Sequence, residues 1–302
     1  MYDLNIAWSP STTNEQLLQT LTLASTLGYA TVALNHTLTL PFPANPVAPF
    51  PSASTLTSAS SSPKKLPNIL HRATLPLADP SAANYRLQSL VAAYDLLAVR
   101  PLDATAFQNA CLTLDIPIIS LDFSQTSSFY FKPKPCMAAV ARGVRFEVCY
   151  SQALAADQRG RAAFIGNVSN LFRATRGRGI ILSSEAKDAL SLRAPADVVN
   201  LLNVWGLPNE KGVLGFESIP RSVVVNEGIK RSGFRGVINV VEVAERDQQD
   251  EGADDQGGKK TKNKGQNPNQ KRKPGDEDSP QLSKRQIKKM KLASRGAASE
   301  KK

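Results

Sequence analysis

Tyr2-Asp3-Leu4-Asn5-Ile6-Ala7-Trp8 opens the chain with a short apolar run, and the residues up to Leu34 complete one strand–helix–strand unit. Thr12-x-x-Glu15 has the spacing of a capping box, in which hydroxyl and carboxylate satisfy the free N–H groups of a helix start. Leu17, Leu18, Leu21 and Ala24 follow at helical spacing, and Gly28 suits a C-terminal cap. Thr31 to Leu34 is a second strand. Two strands joined through a helix pair in parallel, because a tight turn cannot reverse the chain twice.

The unit recurs along the chain. Asn68 to Leu75, Tyr94 to Val99, Pro117 to Leu121, Arg145 to Tyr150 and Ile180 to Ser183 read as strands, and Ser222 to Val225 as a last short one. Leu87 to Ala93 fits strand or helix. Asp103 caps a helix bearing Phe107, Ala110, Cys111 and Leu114 on one face. Met137 to Ala141 forms a helix ending at Arg142-Gly143; Phe164, Val168, Leu171 and Phe172 mark a long one; Pro195 opens another, carrying Val198, Leu201, Leu202 and Trp205. Seven or eight parallel strands alternating with helices close most economically into an irregular (β/α) TIM-like barrel at about 230 residues. An open doubly wound sheet is the alternative, but no Gly-rich dinucleotide fingerprint follows any strand.

Residues 1–244 are assigned to this barrel, with a low-complexity insert at 41–67, dense in Pro, Ser, Ala and Thr, read as a mobile loop. Residues 245–302 are assigned to a disordered charged tail, too poor in large apolar side chains to offset its ordering entropy. The whole chain carries 37 Lys and Arg against 26 Asp and Glu, a net charge of +11, and the tail supplies 16 of the basic and 10 of the acidic residues. Such an excess favours an anionic partner. Lys271-Arg272-Lys273 and Lys284-Arg285 with Lys288, Lys289 and Lys291 have the density of nuclear-import or RNA-contact clusters. No apolar run approaches the roughly 18 residues that span a bilayer, so no membrane partner is expected. The N-terminus has no basic, apolar secretory pattern, and Cys111, Cys136 and Cys149 lack metal-ligand spacing; they read as reduced thiols of an intracellular protein.

Barrel chemistry sits at the C-terminal ends of strands, where Asn5, Asn35, His36, Arg72, Asp122, Glu147 and Ser184 fall. A catalytic metal needs converging His and carboxylate ligands, but His36 and His71 lie on different strands and no His-x-His exists. No metal site is expected. Asp122 and Glu147 read as ion-paired or turn-capping carboxylates, His36 as a hydrogen-bonded structural residue, and Cys111 as core. The basic residues say more. Lys132 lies in Phe131-Lys132-Pro133-Lys134-Pro135, where prolines stiffen a loop. Arg173, Arg176 and Arg178 cluster at a helix end, with Arg176-Gly177-Arg178-Gly179 as a turn, and Arg72, Arg100, Arg142 and Arg193 lie near strand or helix ends. The planar guanidinium suits phosphate oxygens. Lys132, Arg142, Arg176, Arg178 and Arg193 are therefore the expected contacts to an RNA backbone, with Arg72 and Arg100 behind them. Few aromatics are interleaved, so base stacking takes second place to backbone contact.

Several fragments, in order, resemble the thirty-kilodalton protein subunit family of ribonuclease P and ribonuclease MRP. They are Tyr2-Asp3-Leu4-Asn5, Leu27-Gly28-Tyr29, Val32-Ala33-Leu34-Asn35-His36, Tyr94-Asp95-Leu96-Leu97-Ala98-Val99, Phe129-Tyr130-Phe131-Lys132, Phe146-Glu147, Ile181-x-Ser183-Ser184 and Arg193-x-Pro195-x-Asp197-Val198. The resemblance covers roughly residues 1–225. It implies a barrel similar to polymerase and histidinol phosphatase-type phosphoesterases, without their His-x-His at the first strand. It further implies a noncatalytic subunit that supports RNA-catalysed 5′ leader removal from precursor tRNA, and rRNA precursor processing. The catalytic RNA subunit would hold Mg²⁺, and this chain no cofactor. Precursor tRNA, a small RNA-recognition-like protein subunit and other particle proteins are the implied partners, in the nucleus and nucleolus. Two other readings stay open: a phosphoesterase using Asp3, His36, Asp122 and Glu147, and a basic scaffold for acidic proteins.

Overall fold

The computed structural model describes residues 1–39, 46–51, 66–78, 87–125 and 129–232, all within the first of the chain's two units, Met1–Val243. The expected tail, and most of the expected insert, lie outside the described residues. Seven parallel strands form one sheet in sequence order: β1 (Tyr2–Trp8), β2 (Thr31–Thr37), β3 (Asn68–Leu77), β4 (Leu96–Pro101), β5 (Ile118–Ser120), β6 (Arg145–Cys149) and β7 (Ile180–Ser183). The helices between them are α1 (Asn14–Thr26), α2 (Leu87–Ala93), α3 (Ala104–Leu112), α4 (Pro133–Arg142), α5 (Ser151–Ala155) and α6 (Gln158–Thr175). After β7 come α7 (Pro195–Val204), α8 (Asn209–Phe216) and α9 (Ser218–Ser232). The sheet curls into a nearly closed barrel, as expected. Closure runs through the residues after β7: Glu185 N donates to Asn5 O at 2.7 Å and Ala7 N to Ala186 O at 2.9 Å.

The period of two decides which side chains enter the barrel. Val32, Leu34, Ala73, Leu75, Leu97, Val99, Ile119, Phe146, Val148 and Leu182 face the helices and join the main apolar core. On the opposite face, Leu4, Ala33, Leu96, Ala98, Ile118 and Ile181 form a smaller apolar cluster with Val223 of α9. That cluster fills the N-terminal mouth, and α9 plugs it. The upper interior carries Asn35, Arg72, Thr74, Ser120, Glu147 and Ser183 instead, all buried.

Several expectations need correction. Ser222 to Val225 is not a strand but the middle of α9. The β-branched run is overridden because Val223 must enter the mouth cluster at helical spacing. Leu87 to Ala93 is a helix. The capping box of α1 is Thr13 with Gln16, one residue on from the expected pair, with both reciprocal bonds present. Pro133 and Pro135 do not stiffen a loop; they occupy the first turn of α4, where a missing N–H costs nothing. Nor is the insert all loose. Phe50 stacks on His71 with ring centroids 4.6 Å apart and tilts against Trp8 at 5.0 Å. Among the described residues, no helix is long and apolar enough to cross a membrane.

Candidate nucleic-acid interface

The barrel's upper interior is organised around one ion pair. Arg72 donates from Nη1 and Nη2 to Glu147 Oε1 and Oε2 at 2.5 and 2.6 Å, and from Nη1 to Leu4 O at 2.6 Å. Both side chains are 0% exposed. Burial pushes the Glu147 carboxyl up, but the guanidinium beside it outweighs this and holds it below the usual range. Asn5 Nδ2 donates to Glu147 Oε2 at 3.2 Å, Asn35 Nδ2 to Asn5 Oδ1 at 2.8 Å, and Thr74 Oγ1 to Asn35 Oδ1 at 2.7 Å. Ser184 Oγ donates to Asn5 O at 3.1 Å. Five of the seven residues expected at strand ends thus meet in one network, Asn5, Asn35, Arg72, Glu147 and Ser184, with Asn5, Arg72 and Glu147 in the middle of their strands. His36 does not; it lies edge-on to Trp8, with Nδ1 3.4 Å from the Tyr94 hydroxyl. Asp122 does not either; it is exposed and accepts from Ser124 N and Oγ in a turn.

This corrects the place of Arg72 in the RNA set. A guanidinium with no exposure and a carboxylate across its fork reaches no phosphate. It also removes support from a phosphoesterase built on Asp3, His36, Asp122 and Glu147, because these four do not converge. Both Glu147 oxygens already accept from Arg72. Among the described residues, no group of three or more His, Cys, Asp and Glu is disposed to hold a metal.

Asp3 lies at the seam between β1 and β7. Its Oδ1 accepts from Asn5 N at 3.2 Å and Ser184 N at 3.0 Å, while buried Oδ2 has no partner. Burial, with a lesser contribution from the Glu147 charge, pushes its carboxyl up to about 6 from 3.8. A raised folded-state value means the folded protein favours the proton, so ionised Asp3 weakens the fold above pH 6 and the cost fades as pH falls toward 3.8. Asp3→Asn keeps the accepting oxygen without the charge. We expect it to stabilise the protein above pH 6 by an amount on the order of 3 kcal/mol. The gain should vanish on acidification. Urea melts across that pH range check this; a pH-independent difference would refute it.

At the C-terminal mouth lies a cavity of about 610 Å3 bordered by Arg100, Asp122, Asp157, Glu185, Lys187, Asp188 and Arg193. Arg100 Nη2 donates to Glu185 Oε1 at 2.7 Å and Ser120 Oγ at 3.1 Å, and Gln152 Nε2 to Glu185 Oε2 at 2.7 Å. Arg193 Nη1 donates to Leu190 O and Leu192 O, both at 2.7 Å. Acidic residues outnumber basic ones here, so charge alone does not mark the cavity for phosphate. Arg100 is occupied within the fold; Arg193 is exposed yet braces its own turn. Lys132, exposed at the start of α4, stands at this same end.

The opposite end is different. Arg142 closes α4, and Arg173, Arg176 and Arg178 surround the end of α6, so all four lie where β6 and β7 begin. Gly179, whose added Cβ would stand 2.9 Å from Val140 Cγ2, brings the two helix ends together. Arg142 donates to Cys111 O, Thr113 O and Leu114 O at 2.8, 3.2 and 2.6 Å, capping the end of α3. Arg173, Arg176 and Arg178 are exposed, and among the described residues none has an ion-pair partner. Arg176 adopts the left-handed conformation at φ 54° as the C-cap, a geometry that turns the chain sharply and splays the neighbouring side chains. The expected contacts therefore split: Arg142, Arg176 and Arg178 at one end, Lys132, Arg100 and Arg193 at the other, and Arg72 inside. Sequence reading missed the Arg100–Glu185–Gln152 cluster, although the spacing Leu96, Ala98, Arg100 already puts Arg100 on the interior face.

Comparison with known proteins agrees with this barrel. Probable ribonuclease P protein subunit 3 of Schizosaccharomyces pombe is 32% identical over 241 residues, 78% of this chain and 97% of that protein. Ribonuclease P/MRP protein subunit RPP1 of Saccharomyces cerevisiae is 25% identical over 254 residues, 79% of this chain and 84% of that one. A chain from the cryo-EM structure of archaeal ribonuclease P with mature tRNA has the same fold, with a TM-score of 0.61 at 13% identity, covering 81% of this chain and 99% of that chain. The family model for RNase P subunit p30 matches residues 1–232, which span every strand and helix described above, and the chain belongs to that family.

Proposed function

We propose that this chain is a noncatalytic RNA-binding protein subunit of ribonuclease P, and of ribonuclease MRP. It supports RNA-catalysed removal of 5′ leaders from precursor tRNA, and rRNA precursor processing. The observation that carries this is the family match along residues 1–232. The exposed cations at the N-terminal end of the barrel give the reading a physical basis, because guanidinium groups without ion-pair partners among the described residues are available to neutralise phosphates. Arg176 and Arg178, with Arg173, are the RNA-backbone contacts of this reading; Lys132, Arg142 and Arg193 are secondary contacts. The catalytic RNA is a partner, and Mg²⁺ held by that RNA, not by this chain, would supply the activated water and the charge that stabilises the leaving oxygen. Precursor tRNA and a small RNA-recognition-like protein subunit complete the site. The particle works in the nucleus and nucleolus, a placement the basic clusters beyond residue 270 favour.

Affinity purification from the native cell, with sequencing of the retained RNA, tests this. One or two abundant structured noncoding RNAs, with leader cleavage abolished by nuclease treatment, are expected. Cleavage that survives complete RNA removal would overturn the proposal.

A further inference from the structure

Tyr130 is 88% exposed, more than any other large apolar or aromatic side chain the described residues leave at the surface. Its neighbours are anchored. Phe129 stacks on Phe107 with centroids 4.8 Å apart and planes at 26°, and Phe131 meets the same ring edge-on at 5.6 Å. Phe131 also lies 6.1 Å from Phe123, and both Phe107 and Phe123 are buried. The chain on either side of Tyr130 is thus pinned by aromatic packing, while the ring between stands in solvent. Lys132 and Lys134 follow, both exposed, and among the described residues neither has an ion-pair partner. Lys132 makes no side-chain capping bond at the start of α4. This group lies at the C-terminal end of the strands, away from Arg173, Arg176 and Arg178.

We propose that Tyr130, with Lys132 and Lys134, is a stacking platform for an unpaired base of single-stranded RNA. This rests on the RNA-binding reading above and adds to it a second contact of a different kind. A ring already fixed by its backbone loses little freedom when a base stacks on it. The lysines supply the charge for the flanking phosphates, which a lone exposed tyrosine lacks. A protein partner fits less well, because lysine is depleted in the cores of protein interfaces.

The test uses the purified full chain and two probes, a short oligoadenylate and an RNA hairpin of similar charge. Tyr130→Ala should weaken oligoadenylate binding by about 10-fold, leave hairpin binding nearly unchanged and keep the Tm. Tyr130→Phe should bind as wild type. Lys132→Gln with Lys134→Gln should flatten the salt dependence for oligoadenylate. If Tyr130→Ala binds both probes like wild type, stacking is overturned while RNA binding stands, and the ring belongs to a protein contact. Equal loss in Tyr130→Phe and Tyr130→Ala would assign the contact to the hydroxyl and reject stacking. Should the wild-type chain bind neither probe at low salt, RNA binding by the chain itself fails, and this platform with it.

Discussion

Replacing Glu147 with Ala is expected to destabilise the barrel by about 3–5 kcal/mol, the cost of leaving a buried charge unpaired. Arg72 would keep a fully buried cation with Leu4 O as its remaining acceptor, and its Nε already has no partner. Water cannot easily replace the carboxylate, because the apolar mouth cluster and α9 close the barrel from below. Arg72→Met should cost a similar amount, since it strands the Glu147 carboxylate. Arg72→Met combined with Glu147→Leu should recover much of the loss, because neither charge is then desolvated without compensation. Denaturant melts of the four proteins complete a double-mutant cycle. Additive losses would mean that the two residues act independently and would refute the paired account. The sign with pH is opposite to that of Asp3. Glu147 has a lowered folded-state value, so its contribution is present at neutral pH and is lost as pH falls through the carboxylate range.

That pair also shows what a sequence reading reaches. Arg72 lies in the middle of β3 rather than at the strand end where the sequence places it, and that expected position alone made it a candidate for the surface. The alternation Leu70, Arg72, Thr74 on β3 puts it inside, but only once the interior face is known. Its partner is 75 residues away, and no local signal joins them. The strands themselves were legible because their outward faces are mostly apolar, as a sheet covered by helices requires. Ser222 to Val225 was misread for the converse reason. Four residues carry too little pattern to separate strand from helix, and the deciding fact is the open barrel mouth that Val223 fills. The capping of α3 by Asp103, whose side chain accepts from Ala106 N at 2.7 Å, is local and was readable. The carbonyls that Arg142 satisfies lie 28 to 31 residues away from it, and were not. The Arg176-Gly177-Arg178-Gly179 turn was legible because positive φ at Arg176, Gly177 and Gly179 is a backbone property that glycine announces.

The same turn carries the second large effect. Arg173→Ala, Arg176→Ala and Arg178→Ala together should weaken binding to structured RNA. The slope of log K against log salt should fall by about 2 to 3, at roughly 0.7–0.9 for each phosphate that is no longer neutralised. Stability should barely change. The three side chains are exposed and without ion pairs among the described residues. Alanine at position 176 has the same Cβ as arginine, so the cost of the left-handed backbone at φ 54° is already present in the wild type. The competing account is that Arg173 and Arg176 only complement the negative end of the α6 dipole, which is worth less than about 1 kcal/mol at an exposed site. That account predicts a small loss of Tm and an unchanged salt slope. Replacing the three arginines with lysine separates the two: lysine keeps the charge, so the slope should stay near wild type while the bidentate geometry is lost. A slope that falls with alanine and returns with lysine assigns this end of the barrel to RNA phosphate. A slope indifferent to both sets removes it from the interface and leaves the charge to the helix end.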